Sequence, residues 1–186
     1  MFKRFEVHSH THYSNLRLLD CINRPKDLIK RAIELGLSGI SITDHECLSS
    51  HMEVNLYAKE IQKEYPDFKI GYGNEIYLCE NRELGQKYYH FILIAKTKLG
   101  HKALRELSSM AWMNTYWDRG MERVVTTYEE LAAICRKYPG QLIATTACLG
   151  GELGTKIIER EHAKMLGDNV TAEAAHKRII EFLTFC

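Results

Sequence analysis

Along the chain, short runs of β-branched and aromatic residues alternate with longer stretches whose apolar positions recur every three to four residues. Such runs predict buried strands, and such stretches predict amphipathic helices. The runs predict strands at residues 5–10, 38–43, 69–78, 88–96 and 141–146. The longer stretches predict helices at residues 25–35, 50–65, 99–116, 127–138, 151–165 and 171–185. This alternation predicts an α/β fold with a mainly parallel sheet.

Chemically reactive side chains stand where the predicted strands end. In chain order they are His8, His10, Asp44, His45, Glu75 and Cys148. Because functional groups gather at the carboxyl ends of parallel strands, we expect these side chains to lie close together. His90 is the exception, because it opens its strand. Either that strand boundary is misplaced or the segment runs in an unusual direction.

The residue types at these ends indicate a metal site. On a strand His8 and His10 point to one face, so both imidazoles can reach one ion; the alternative is a solvated strand face. Glu75 is a charged residue inside an apolar strand. If Glu75 is buried, its carboxylate requires a metal or another partner. The alternative is an exposed edge strand, where the carboxylate needs no partner. Taken together, the imidazole, carboxylate and thiol groups are ligands that zinc, manganese and iron accept.

Composition narrows the class of protein. The chain has 186 residues, 45% of them apolar and 26% charged, which is typical of one domain with a sizeable core. Lys and Arg number 25 against 24 Asp and Glu, so the formal charge is +1 and any DNA contact must be local. Without a CxxC pair, the six cysteines are expected to be reduced thiols. With no signal-like or membrane-spanning run, we expect a cytoplasmic protein without membrane contact.

Several segments resemble a known family. Residues 8–14 and 42–45 resemble the first two motifs of the PHP (polymerase and histidinol phosphatase) domain. Residues 72–77, 90–96 and 147–152 are similar to matching segments of the PHP domain at the N-terminus of bacterial and phage DNA polymerase III alpha subunits. Residues 121–124 also fit that group, so the resemblance covers nearly the whole chain.

The resemblance implies a fold, a metal cluster and a set of ligands. The fold is a distorted TIM-like (β/α)7 barrel, and the cluster holds up to three divalent ions of zinc, manganese or iron. The implied metal ligands are His8, His10, Asp20, His45, Glu75, His90 and Cys148. Four of these are also the implied catalytic residues: His8, His10, His45 and Glu75. Asp44 is expected to orient His45 or a bound water.

One family motif is missing. An Asp-x-His pair expected on a later strand is absent, and about five strands are predicted where the family has seven. We therefore interpret residues 1–186 as one PHP domain that is incomplete at its C-terminus, with one metal position incomplete and the polymerase domains absent.

The resemblance implies a metal-dependent phosphoesterase that acts on a DNA 3′ end as a 3′–5′ proofreading exonuclease within a polymerase. Its partners would be DNA and, through the parent polymerase, other replisome subunits. Arg17, Arg119 and Arg123 are the cations expected nearest a DNA backbone, with a solvated surface as the alternative for each. Two other functions stay open: a non-catalytic docking domain of the polymerase, and a stand-alone phosphatase.

Overall fold

The computed structural model describes residues 4–17, 19 and 21–186. In chain order its strands are β1 (Phe5–Glu6), β2 (Gly39–Ile42), β3 (Lys69–Cys79), β4 (Tyr88–Ala95), β5 (Tyr116–Asp118), β6 (Met121–Arg123), β7 (Thr126–Thr127) and β8 (Leu142–Thr145). Its α-helices are α1 (Pro25–Glu34), α2 (His51–Glu64), α3 (Lys98–Met113), α4 (Tyr128–Lys137), α5 (Glu152–Met165) and α6 (Asn169–Phe185). A 3₁₀ helix spans His12–Leu16.

A six-stranded sheet in the order β1-β2-β3-β4-β8, with β7 also paired to β3, forms the centre of the molecule. The sheet is curled, so the α/β class is confirmed and the curvature agrees with the TIM-like barrel that the resemblance implies.

The strand directions differ in part from the prediction of a mainly parallel sheet. The pairs β1–β2, β2–β3 and β3–β7 are parallel, but β4 is antiparallel to both β3 and β8. Only residues 80–87 join β3 to β4, and a parallel crossover needs a dozen or more residues. The beginning of β4 therefore lies beside the end of β3, which explains why His90 opens its strand and still reaches the site.

The period of two along β3 and β4 separates a packing face from a functional face. Ile76 and Phe91 point to one side, where they form a core with α3, α4 and α6. Glu75 and its neighbour across the ladder, Ile92, point to the other side. A second core, in which Ile29, Ile42 and Ile61 are buried, joins α1 and α2 to β2.

Two predicted elements are corrected. The strand predicted at 5–10 pairs only at Phe5–Glu6, and residues 7–10 have irregular backbone. The helix predicted at 99–116 ends at Met113, and a hairpin of β5 and β6 follows. Arg119 and Gly120 form its two-residue turn with φ values of 52° and 75°. Positive φ at both positions is what a tight hairpin turn requires, and Gly120 adopts it without steric cost.

A capping box begins α4. The Thr127 hydroxyl accepts a hydrogen bond from the Glu130 backbone N–H at 3.2 Å, and the Glu130 carboxylate accepts one from the Thr127 backbone N–H at 2.9 Å. Among the described residues, no helix is both long enough and apolar enough to cross a membrane.

We expect Phe182→Ala to lower the free energy of unfolding by about 3–5 kcal/mol, because Phe182 is 2% exposed and its ring meets Phe91 edge to face. The matched control is Phe185→Ala on the same helix, where the side chain is 39% exposed and the loss should stay below about 1.5 kcal/mol. Urea unfolding followed by circular dichroism measures both. Equal losses would show that α6 does not pack on the sheet as described.

Candidate metal centre

One buried carboxylate lies at the centre of the site and faces four imidazoles. Glu75 Oε2 lies 2.5 Å from His8 Nε2 and 3.0 Å from His10 Nε2. Glu75 Oε1 lies 3.6 Å from His45 Nδ1 and in close contact with His90 Nδ1. The structure therefore brings together five of the residues that the sequence predicted as ligands.

The backbone around Glu75 explains how His45 reaches it. After β2 ends, the chain continues to pair with β3: the Glu75 N–H donates to the Asp44 carbonyl at 3.1 Å, and the Glu46 N–H donates to the Glu75 carbonyl at 2.9 Å. His45 and Glu75 form an isolated parallel bridge. His90 is opposite Tyr77 on β4, so it is the diagonal neighbour of Glu75 on the same face.

A serine between the first two histidines sets their direction. The Ser9 carbonyl accepts from the Thr43 N–H at 2.8 Å, and the Ser9 hydroxyl donates to the Ser41 carbonyl at 2.5 Å. Ser9 is thus held against β2, and the alternating neighbours His8 and His10 point the other way, towards Glu75. The shared face predicted for the pair holds even though this segment is not a regular strand.

A buried network fixes the tautomer of His10. The Asp44 carboxylate accepts from the Thr11 N–H at 2.6 Å, the Ser14 hydroxyl at 2.9 Å and the Ser50 hydroxyl at 2.6 Å. Since Ser14 gives its only hydrogen to Asp44, it must accept from Nδ1 of His10, which lies 3.1 Å away. Nε2 of a neutral His10 then carries a lone pair. Asp44 therefore orients His10, through Ser14.

These contacts test whether the residues fit a cation. The lone pair on His10 Nε2 faces the Glu75 carboxylate at 3.0 Å and His8 Nε2 at 2.8 Å, so acceptor atoms converge with too few protons between them. The possible ligand atoms form two sets, and within each set the atoms lie within 4.8 Å of one another. One set is His8, His10 and Glu75, and the other is His45, Glu75 and His90. Imidazole and carboxylate ligands suit a divalent transition metal, so the residues fit one.

The charge state of Glu75 also favours a cation. Burial raises its pKa, but the close imidazoles of His10, His8, His90 and His45 outweigh burial and hold the pKa well below its usual range. The carboxylate is therefore ionised and supplies the negative charge of the site.

Cys148 lies at the margin of this cluster. Its thiol is exposed and lies 3.7 Å from His90 Nδ1, and it accepts from the Gly150 N–H at 3.3 Å. The Gly150 carbonyl in turn accepts from the His90 N–H at 3.1 Å, which holds this loop against β4. Cys148 is close to one ligand candidate but belongs to neither set of converging atoms. The implied ligand Asp20 lies outside the described residues.

The remaining histidines lie apart from the cluster. His51 Nε2 lies 3.0 Å from the Gly73 carbonyl, and His51 Nδ1 lies 3.0 Å from His101 Nε2. Burial lowers the pKa of His51 to about 4. His101 lies in a predicted helix beside charged residues, which predicts an exposed side chain. The contact with His51 leaves it half-buried instead. His162 and His176 are exposed.

Sequence reasoning missed Glu46, a buried residue that follows His45 and contacts β3. Its side chain is fully buried, its carboxylate accepts from the Tyr77 N–H, and burial raises its pKa to about 8. The Trp112 indole N–H donates to the Glu46 carbonyl at 2.7 Å. The available signal was an acidic residue directly after the Asp44-His45 pair.

Comparisons with known proteins agree with the geometry. The family model described as PHP domain matches residues 6–185. The chain is 38% identical to the DNA-directed DNA polymerase of Bacillus phage SPbeta over 96% of its own length and 15% of that protein. It is 32% identical to DNA polymerase III subunit alpha of Borreliella burgdorferi over 81% of its length and 12% of that protein. The chain thus spans less than a sixth of either relative.

A solved amidohydrolase from Chromobacterium violaceum, with bound sulfate and no metal, aligns with 56% of this chain and 33% of its own at 18% identity and a TM-score of 0.39.

We expect Glu75→Gln to remove most of the bound metal, because the amide loses the charge shared by both sets of ligand atoms. The double variant His8→Ala plus His10→Ala should also lower the metal content. The measurement is inductively coupled plasma mass spectrometry after dialysis against zinc or manganese. His162→Ala, which changes an exposed histidine, is the matched control. Equal metal in all four proteins would contradict the cluster.

We expect Ser14→Ala to weaken metal affinity by about 10- to 100-fold without removing a ligand, because His10 loses the contact that fixes its tautomer. Competition with a chromogenic chelator measures the affinity. Ser49→Ala, at an exposed serine, should leave it unchanged. An unaltered affinity in Ser14→Ala would show that the Asp44 network does not orient His10.

Proposed function

The chain belongs to the PHP domain family, and from that premise we propose that it is the phosphoesterase domain of a DNA polymerase III alpha type polymerase. Its reaction would be metal-dependent removal of nucleotides from a DNA 3′ end during replication. The observation that carries the proposal is the buried Glu75 carboxylate shared by two sets of imidazoles.

The proposed ligand set follows from the contacts. Glu75 would bridge two positions, with His8 and His10 at one and His45 and His90 at the other. Cys148, 3.7 Å from His90, and Asp20 are further candidates, which would allow up to three ions of zinc, manganese or iron. Polymerase activity would belong to the parent protein.

The exposure of the ligands gives the site an open side and a closed side. The side chains of His8, His10 and His90 are 24%, 18% and 23% exposed, whereas those of Glu75 and His45 are 1% and 6% exposed. A phosphodiester can therefore approach past the first three residues. The carboxylate beneath them stays out of solvent and keeps its charge near the imidazoles.

When bound, divalent ions would lower the pKa of a water molecule and neutralise phosphate oxygens. The residues of this chain would hold the ions and orient the ligands. His10 presents Nε2 because Ser14 accepts from Nδ1, and the Glu75 charge keeps the imidazoles directed inwards. The relatives named as DNA polymerases support DNA as the substrate over a small phosphate ester.

A second candidate function is structural, and one observation favours it. Glu75 and its four imidazoles connect segments that are far apart in the chain, so a bound ion would stabilise the domain whether or not hydrolysis occurs. Under this alternative the domain would hold the polymerase together or bind a separate proofreading subunit.

We expect hydrolysis of a 5′-labelled single strand from its 3′ end in the presence of manganese or zinc, because the proposed ligands would hold ions that lower the pKa of a water molecule. A chelator should abolish it, and His10→Ala should lower the rate by about 100-fold or more. Product ladders on denaturing gels measure rate and polarity, with His162→Ala as the matched control. Metal-loaded protein that cleaves no DNA would favour the structural function, and equal rates in His10→Ala would indicate a contaminating nuclease.

A further inference from the structure

An aromatic surface with two arginines lies beside the metal centre and is not used by the proposed ligands. We call it the tryptophan surface, and it consists of Trp112, Trp117, Arg17 and Arg119. We infer that it stacks the unpaired bases of a DNA single strand and leads the end of that strand to the metal centre. The inference rests on the proposed function and names how its substrate is held.

Backbone contacts place this surface next to the ligands. Trp112, at the end of α3, donates its indole N–H to the carbonyl of Glu46, the residue that follows His45. Arg17 directly follows the 3₁₀ helix that carries Ser14, the residue that orients His10. The surface therefore borders the site beside two segments, the one that carries His45 and Glu46 and the 3₁₀ helix that carries Ser14.

Arg17 contacts both elements that carry the tryptophans, the end of α3 and the β5–β6 hairpin. Its guanidinium lies 5.6 Å from the centroid of the Trp112 ring, a cation–π contact. The same group donates to the Glu122 carbonyl at 2.7 Å. Glu122 is the cross-strand partner of Trp117 in the β5–β6 hairpin. Arg17 thus ties the hairpin to the loop of the metal centre.

The exposure of these side chains argues for a ligand. Trp117 is 68% exposed and Trp112 is 37% exposed, so neither indole is fully used by the core. Met113, the neighbour of Trp112 in the chain, is 76% exposed. Clustered exposed apolar side chains are typical of an interaction surface.

The charges at this surface fit a nucleic acid. Arg119 is exposed at the hairpin tip, and its positive φ of 52° is a conformation that bulky residues seldom adopt. Arg123 serves the hairpin itself, since it contacts Asp118 at 3.8 Å and the Tyr88 hydroxyl at 3.2 Å. Of the three arginines expected near DNA, Arg17 contacts the Trp112 ring, and Arg119 is exposed two residues after Trp117.

Stacking, not charge, should dominate the affinity. Aromatic side chains bind bases of any sequence through their faces, whereas a chain with a formal charge of +1 offers few phosphate contacts. The occupant must therefore present unpaired bases, as a frayed or single-stranded 3′ end does.

The two tryptophans are the only ones in the chain, so intrinsic tryptophan fluorescence reports on this surface alone. The probe is a thymidine oligonucleotide, compared with an abasic strand of the same length, titrated into the chain with a chelator present. We expect quenching by the thymidine strand and little by the abasic strand. Trp117→Ala, followed through Trp112, should lower affinity about 5- to 100-fold, and Trp117→Phe should retain most of it.

Tyr65→Ala is the control, because Tyr65 is an exposed aromatic residue at the distant end of α2. Equal binding of the two strands, or unchanged affinity in Trp117→Ala, would overturn the inference. The titration needs neither metal nor hydrolysis. If the chain binds the thymidine strand through Trp117 but no metal-loaded protein cleaves DNA, the proposed function fails and the stacking surface stands.

Discussion

The burial of one carboxylate in the middle of a sheet constrains the rest of this molecule. Glu75 is out of solvent on a strand that carries buried apolar residues such as Ile76 and Leu78, and an ionised group there requires polar or cationic partners. His8, His10, His45 and His90 meet this requirement from separate segments of the chain. The fold that brings these segments together is therefore the same fold that makes a cation site.

The reversal of β4 is what allows His90 to take part. In an entirely parallel sheet the beginning of this strand would lie at the opposite edge from the end of β3. Because the short link of residues 80–87 forces an antiparallel pair, His90 and Glu75 become diagonal neighbours on one face. The exposed thiol of Cys148 follows β8, which runs antiparallel to β4 and so ends at the same edge.

Beneath and beside the imidazoles, buried polar contacts connect the metal centre to a surface feature. Asp44 and Ser14 determine which nitrogen of His10 faces Glu75. Glu46 links β3 to the indole of Trp112 through its side chain and its carbonyl. These contacts make the edge of the proposed active site continuous with the tryptophan surface, so catalysis and strand binding would share one framework.

The sequence by itself determined the α/β class, most element positions and the ligand candidates, because periodicity and residue spacing are local properties. The His8 and His10 spacing and the charge of Glu75 within an apolar run were visible in this way. Tertiary structure decided the tautomer of His10, through Ser14 and Asp44, and the contact of Arg17 with the β5–β6 hairpin. Each of these depends on contacts between residues distant in the chain, whose hydrogen bonds no local pattern records.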